Sequence, residues 1–133
     1  MNILVDTSVW SLALRRNSSA DHPEVIRLKH ALQGDTIFST GLILQELLQG
    51  FNGPKAKKKI IEIFARLPLI TPERKDHIEA ADLKIKLRQK GVQTGTIDVL
   101  LAQLCIRHGL SLLSKDKDFV HIGRHTPLAL IDL

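Results

Sequence analysis

The chain has 133 residues and contains one cysteine, no tyrosine, one tryptophan and one methionine. A single cysteine excludes an intrachain disulfide and any zinc cluster built on several thiolates. Cys105 stands in the apolar run of residues 99–106, where a small core residue is its simplest use. Aromatic residues are 4% of the chain, which argues against a broad platform for stacking bases. Trp10 is assigned to core packing. No apolar run approaches the roughly 20 residues of a membrane-spanning helix, and no basic segment followed by an apolar one opens the chain. The expectation is a cytoplasmic protein with no membrane contact. His121 and His125 are four apart, but Gly123 interrupts them, so both read as loop or surface residues rather than a ligand pair.

Hydrophobic residues make up 44% of the chain and charged residues 25%, ordinary values for a globular protein with a real core. The length suits one domain over residues 1–133. Nineteen Lys and Arg against fourteen Asp and Glu give a formal charge of +5, which is compatible with an anionic partner such as nucleic acid.

Apolar runs of strand length occur at Ile3-Leu4-Val5, Thr36-Ile37-Phe38, Leu67-Pro68-Leu69-Ile70, Ser111-Leu112-Leu113 and Leu128-Ala129-Leu130-Ile131. Helical spacing fills the gaps between them. Residues 24–32 carry Val25, Leu28 and Leu32; residues 56–67 carry Ile60, Ile61, Phe64 and Leu67; residues 72–89 carry Ile78, Ala81 and Ile85. Asn17-Ser18-Ser19 is expected to break the first helix, with Gly91 and Gly109 stopping later ones. Strands alternating with helices predict one α/β domain whose parallel sheet is covered on both faces.

Ligands of such sheets bind beyond the carboxyl ends of the strands, where the strand order reverses. Asp6 ends the first apolar run, with the hydroxyls of Thr7 and Ser8 directly after it. Helix capping is the simplest use for such an acid, and a metal site the alternative. Glu46 lies on a helix for which Thr40 is the expected cap, and its wheel position suits a solvated face as well as a site. Asp98 opens the most apolar helix, where the helix dipole would stabilise it and Thr96 could already serve as cap. Asp116 and Asp118 follow the fourth strand, where turn formation explains one of them better than two. Four carboxylates from separate elements at one edge would repel by roughly 4 kcal/mol per pair at 4 Å and an effective dielectric near 20. Protons or cations must relieve that repulsion. An oxygen-only ligand set suits Mg²⁺ or Mn²⁺.

These stretches resemble the PIN-domain ribonucleases, in particular the VapC-type toxins of prokaryotic toxin–antitoxin pairs. Val5-Asp6-Thr7-Ser8-Val9-Trp10 is similar to the first motif of that family and Leu44-Gln45-Glu46-Leu47-Leu48-Gln49-Gly50 to the second. Ile97-Asp98-Val99-Leu100-Leu101-Ala102 resembles the third, and His108-Gly109-Leu110 leading into Leu113-Ser114-Lys115-Asp116-Lys117-Asp118-Phe119 the fourth. Gln45 stands where a small residue is common, and Thr96-Ile97 replaces a proline-bearing lead-in; neither change removes an acid. The resemblance implies a three-layer α/β/α sandwich with a central parallel sheet. It also implies Mg²⁺- or Mn²⁺-dependent endonuclease activity on RNA, leaving a 5′-phosphate and a 3′-hydroxyl, together with inhibition by a cognate antitoxin and a homodimer. The four acids of the family fall on Asp6, Glu46, Asp98 and Asp116, with Asp118, Thr7 and Ser8 in support.

Rival chemistries lack their residues. A haloacid-dehalogenase-like phosphoaspartyl enzyme needs an acid two positions after Asp6, where Ser8 stands, and no G-x-x-x-x-G-K-[ST] occurs. A receiver domain needs an acid pair at the first strand, which is absent. A non-catalytic RNA- or partner-binding module on the same scaffold is the remaining alternative; clustered negative charge would serve a phosphate binder badly. Lys55, Lys57, Lys58 and Lys59, or Arg15 and Arg16, are candidates for holding RNA backbone, with a solvated helix face as the equal alternative.

Overall fold

Five strands and seven helices are found among the residues that the computed structural model describes, 1–15 and 22–133. The expected break at Asn17-Ser18-Ser19 and the candidate Arg16 lie outside the described residues. The elements run β1 (Asn2–Val5), α1 (Thr7–Leu14), α2 (Pro23–Gly34), β2 (Thr36–Thr40), α3 (Gly41–Gly50) and α4 (Pro54–Phe64). They continue with β3 (Leu69–Ile70), α5 (Arg74–Gln89), α6 (Thr96–His108), β4 (Ser111–Leu113), α7 (Asp118–Gly123) and β5 (Ala129–Leu130).

All pairings are parallel, in the spatial order β3-β2-β1-β4-β5. The chain first steps from β1 through β2 to β3, then crosses back to place β4 on the other side of β1. Right-handed crossovers running in opposite directions put their helices on opposite faces of a sheet, which yields the expected three layers. Ile3, Leu4, Val5, Leu112 and Leu113 are wholly buried because both faces of the central strands are covered. On α6, Val99, Leu100, Leu101, Ala102, Leu104 and Cys105 are buried, which explains its apolar composition. Trp10 is 2% exposed and packs on Phe64 with ring centroids 5.1 Å apart, as expected of a core tryptophan.

The strand order reverses between β1 and β4. Val5 pairs with Leu113, and the Asp6 N–H donates to the Leu113 carbonyl at 2.9 Å. Whatever follows Val5 and Leu113 therefore emerges side by side at the carboxyl edge. Gly91 and Gly109 take positive φ of 80° and 65° at helix ends, the conformation that makes glycine the usual stop.

Several local expectations need correction. The third and fifth strands shrink to two residues each, and Pro68 has no N–H to add to a ladder, although its carbonyl accepts from Ser39. His121 lies in the short helix α7, which the interrupting Gly123 had hidden, because Gly123 ends that helix. On α2, Leu32 is about half exposed and Ala31 is buried in its place; on α4, Ile61 is about half exposed while Ile60 and Phe64 are buried as expected. On α5 the apolar stripe proves to be the outer face: Ile78 is 57% and Ile85 48% exposed. The inner stripe is Asp76, Ala80, Leu83 and Leu87, and an acid at its head disguised it.

Asp76 is fully buried and entirely engaged. Its Oδ2 accepts the Glu73 N–H at 2.7 Å, closing a capping box, and its Oδ1 accepts from Arg107 Nη1 of α6 at 2.7 Å. Burial pushes its carboxyl up, but the Glu73 N–H and the Arg107 guanidinium together outweigh burial and hold it below the ordinary range. A depressed carboxylate contributes stability above its unfolded pKa and loses it as pH falls through the folded value. Arg107→Met should therefore cost about 3 kcal/mol in urea unfolding at pH 7, because it strands a buried charge. The difference from wild type should shrink below about pH 4, where Asp76 is protonated in the variant.

Candidate active site

Asp6 occupies the N-cap position of α1, yet its carboxylate caps no helix N–H. Capping, the simplest use for this acid, does not apply. Its backbone carbonyl starts the helix by accepting from Val9 and Trp10, while the side chain turns to hydroxyls. Ser8 Oγ donates to Asp6 Oδ2 at 2.8 Å, and Ser114 Oγ donates to the same oxygen at 2.9 Å. Each hydroxyl is itself held by a backbone donor from the segment after β4: Lys115 N–H to Ser8 Oγ at 3.1 Å, Asp116 N–H to Ser114 Oγ at 2.9 Å. This relay ties the end of β1 to the end of β4 and fixes which oxygen of the 7% exposed Asp6 is occupied. Ser114 stands within the fourth motif but had no role at the site in the sequence reading. Its only sequence signal was a hydroxyl two positions before Asp116 at a strand end.

Glu46 is exposed on α3, whose start is capped as expected, with Thr40 Oγ1 accepting from Ile43 N–H at 3.2 Å. Thr7 Oγ1 donates to Glu46 Oε1 at 3.2 Å, so the first turn of α1 carries one hydroxyl toward each acid. Asp98 sits in the first turn of α6, but the cap there is Gly95 rather than Thr96, which is already helical. Asp116 Oδ1 accepts the Asp118 N–H at 2.9 Å in a local turn that positions the second acid of the pair.

Asp98, Asp116 and Asp118 form the tightest group, each offering an oxygen within 4.8 Å of the others. Asp118, a supporting residue in the sequence reading, stands inside this trio, whereas Asp6 and Glu46 do not belong to it. Two oxygens across one Mg²⁺ would lie about 4 Å apart, so a hard cation would draw the three together only slightly. All five acids nevertheless share one field. Burial, followed by the charges of Asp116, Asp6, Asp118 and Glu46 in that order, pushes the Asp98 carboxyl up to about 6. The same field reaches Cys105, whose thiol is driven up to about 12, chiefly by burial and further by Asp6. Cys105 is an inert core residue. The donor set fits a divalent hard cation: oxygen only, and under electrostatic pressure to acquire positive charge. A cleft of about 650 Å³ lined by Leu28, Lys29, Leu32, Thr36, Arg66 and Pro68 opens at the opposite, amino-end edge of the sheet and carries none of these acids.

Two outcomes follow. Ser114→Ala should weaken Mn²⁺ binding about tenfold by calorimetry, while Ser114→Thr, which keeps the hydroxyl, should stay near wild type. A metal-free folded chain binds a proton at Asp98 more tightly than the unfolded chain does, so stability should fall as pH rises from about 4 to about 6. Asp98→Asn should then be more stable than wild type in urea at pH 7.5 without metal, by up to about 3 kcal/mol. The gap should vanish near pH 3.5 and narrow when Mg²⁺ is added.

The PIN domain family model matches residues 3–125 of this chain. The VapC ribonuclease Mb1587 of Mycobacterium bovis and Ribonuclease VapC11 of Mycobacterium tuberculosis are each 32% identical to it over 128 residues, covering 95% of both chains. Among solved structures, VapBC2 from Rickettsia felis bound to a promoter DNA fragment superposes with a TM-score of 0.77 at 21% identity, covering 100% of this chain and 99% of the other. VapC20 of Mycobacterium tuberculosis, described as a toxin cleaving the sarcin-ricin loop, gives 0.70 at 20% identity and covers 91% and 95%. A parallel sheet with acids gathered at its switch point, the family match across nearly the whole chain and relatives of equal length lead to one conclusion: the chain belongs to the PIN domain family, among the VapC ribonucleases.

Proposed function

We propose that this chain is the toxin of a toxin–antitoxin pair, an endoribonuclease that hydrolyses RNA phosphodiester bonds with Asp6, Glu46, Asp98 and Asp116 as its catalytic and metal-binding acids. The observation that carries the reading is the meeting of Asp98, Asp116 and Asp118 within 4.8 Å, where burial and then the charges of Asp116, Asp6, Asp118 and Glu46 push the Asp98 carboxyl up. The enzyme is metal-dependent, and Mg²⁺ or Mn²⁺ is the ion we assign to it. When bound, such an ion lowers the pKa of a coordinated water and neutralises charge on the phosphate oxygens.

The residues divide the remaining work. Asp98, Asp116 and Asp118 offer the closest oxygens for the ion. The free oxygen of Asp6 stands ready because the other is held by Ser8 and Ser114. Glu46, exposed and steadied by Thr7, is placed to orient an attacking water or to complete the ligand set. In-line attack by water would leave a 5′-phosphate and a 3′-hydroxyl. A non-catalytic RNA- or partner-binding module is disfavoured, since the acids would repel phosphate with no gain.

The partners assigned are an RNA substrate, a cognate antitoxin and a second copy of the chain. Several similar folds were solved as VapBC toxin–antitoxin complexes. Homodimerisation would give the exposed Ile78 and Ile85 of α5 a place out of water. No helix of the described residues is long and apolar enough to cross a membrane, and the cytoplasm is the compartment we assign.

Incubation of the purified chain with labelled cellular RNA should give fragments with Mg²⁺ or Mn²⁺ and none with EDTA. Asp98→Asn should lower the rate by at least about 100-fold. Equal cleavage by both proteins would disprove the assignment of this site.

A further inference from the structure

Beside the acids runs a groove of about 420 Å³ lined by Ser8, Ser11, Leu12, Arg15, Lys115 and Asp116. It shares Ser8 and Asp116 with the candidate active site and is therefore continuous with it. Three residues of α1, Ser8, Ser11 and Leu12, and its C-cap Arg15 are spaced i, i+3, i+4 and i+7, a row leading away from Asp6 along the helix and just past its end. From Ser8 to Arg15 the row extends about 10 Å. At a rise on the order of 3.4 Å per nucleotide of a stacked strand, that length accommodates more than one phosphate.

Asp116 is the one acid of the lining, and it belongs to the candidate active site. Arg15, at the end of α1, and Lys115, after β4, are exposed cations, and neither pairs with a carboxylate among the described residues. Ser11 adds a hydroxyl, Leu12 an apolar side chain, and no aromatic ring is among the lining residues. Guanidinium, ammonium and hydroxyl donors without a stacking surface suit a phosphodiester backbone. An anionic strand approaching five carboxylates also needs nearby positive charge to offset their repulsion. By contrast, the lysine run of α4 lines no part of this groove, and its Lys58 faces Glu62 one turn on, at 4.0 Å.

We propose that this groove is the seat of the RNA backbone flanking the cleaved bond, with Arg15 and Lys115 as its phosphate ligands. The proposal rests on the ribonuclease reading but concerns binding rather than chemistry. It assigns sequence-tolerant backbone contact to this face and leaves base selection to other parts of the molecule.

The test is fluorescence anisotropy of a labelled random-sequence 20-nucleotide single-stranded RNA, titrated in EDTA at several KCl concentrations. Each of Arg15→Ala and Lys115→Ala should weaken binding about three- to tenfold and reduce the slope of log K against log[KCl] by about 0.7, and the double variant by about twice that. Lys29→Ala/Arg66→Ala removes two charges that line the cleft at the opposite edge of the sheet and should leave the slope at the wild-type value. A double groove variant with the affinity and slope of wild type, or of that control, would overturn the proposal. Cleavage of cellular RNA with Mn²⁺ is scored in parallel. Wild-type cleavage with an unchanged groove variant refutes the groove alone; reduced binding without any wild-type cleavage refutes the nuclease reading and leaves the groove as an RNA-binding surface.

Discussion

Mutual repulsion among carboxylates is the constraint around which the carboxyl edge of this sheet is organised. At 4 Å and an effective dielectric near 20, each pair costs roughly 4 kcal/mol. An isolated turn could not hold such a group together. Here β1, α3, α6 and the segment after β4 bring the acids in from separate directions, each anchored by buried apolar residues behind it. At Asp98 burial, and then the charges of the other four acids, push the carboxyl up to about 6. Hydroxyls rather than cations steady the rest: Ser8 and Ser114 at Asp6, Thr7 at Glu46. Neutral donors fix geometry without discharging the site, so its negative field stays available for a divalent ion.

Asp76 and Asp98 show how partners decide the role of a buried acid. Both belong to the α5–α6 pair of helices and both are penalised by desolvation. Asp76 meets an N–H and a guanidinium, so its charge is satisfied and its function is to join two helices. Asp98 meets only other acids. The first arrangement stabilises the fold at neutral pH, and the second opposes it until a cation or a proton arrives. A destabilised cluster at a strand-order reversal is what a binding site for positive charge requires.

The same contrast orders the cations. The chain carries a formal charge of +5, but none of the basic side chains makes an ion pair with the clustered acids among the described residues. Arg107 is engaged in holding α6 to α5, whereas Arg15 and Lys115 line the groove beside the acids without an ion pair among the described residues. Positive charge next to a negative pocket, without direct neutralisation, lets a polyanion approach while the pocket keeps its appetite for metal.

The sequence by itself determined the strand–helix alternation, the core strands and the acids that stand at strand and helix ends, because apolar periodicity and strand-end position are local properties written in neighbouring residues. It also showed that four motifs occur in order. It misjudged the inner face of α5, since an apolar stripe marks burial only when the buried stripe holds no charge, and Asp76 broke that pattern. Only the tertiary structure decided that Asp6 does not cap its helix, that Asp118 stands closer to Asp98 and Asp116 than the sequence suggested, and that Ser114 completes the clamp on Asp6. Those facts depend on the register of β1 against β4 and on the angle at which α6 arrives. No run of adjacent residues encodes distances between segments more than a hundred positions apart; the packing of the whole sheet sets them.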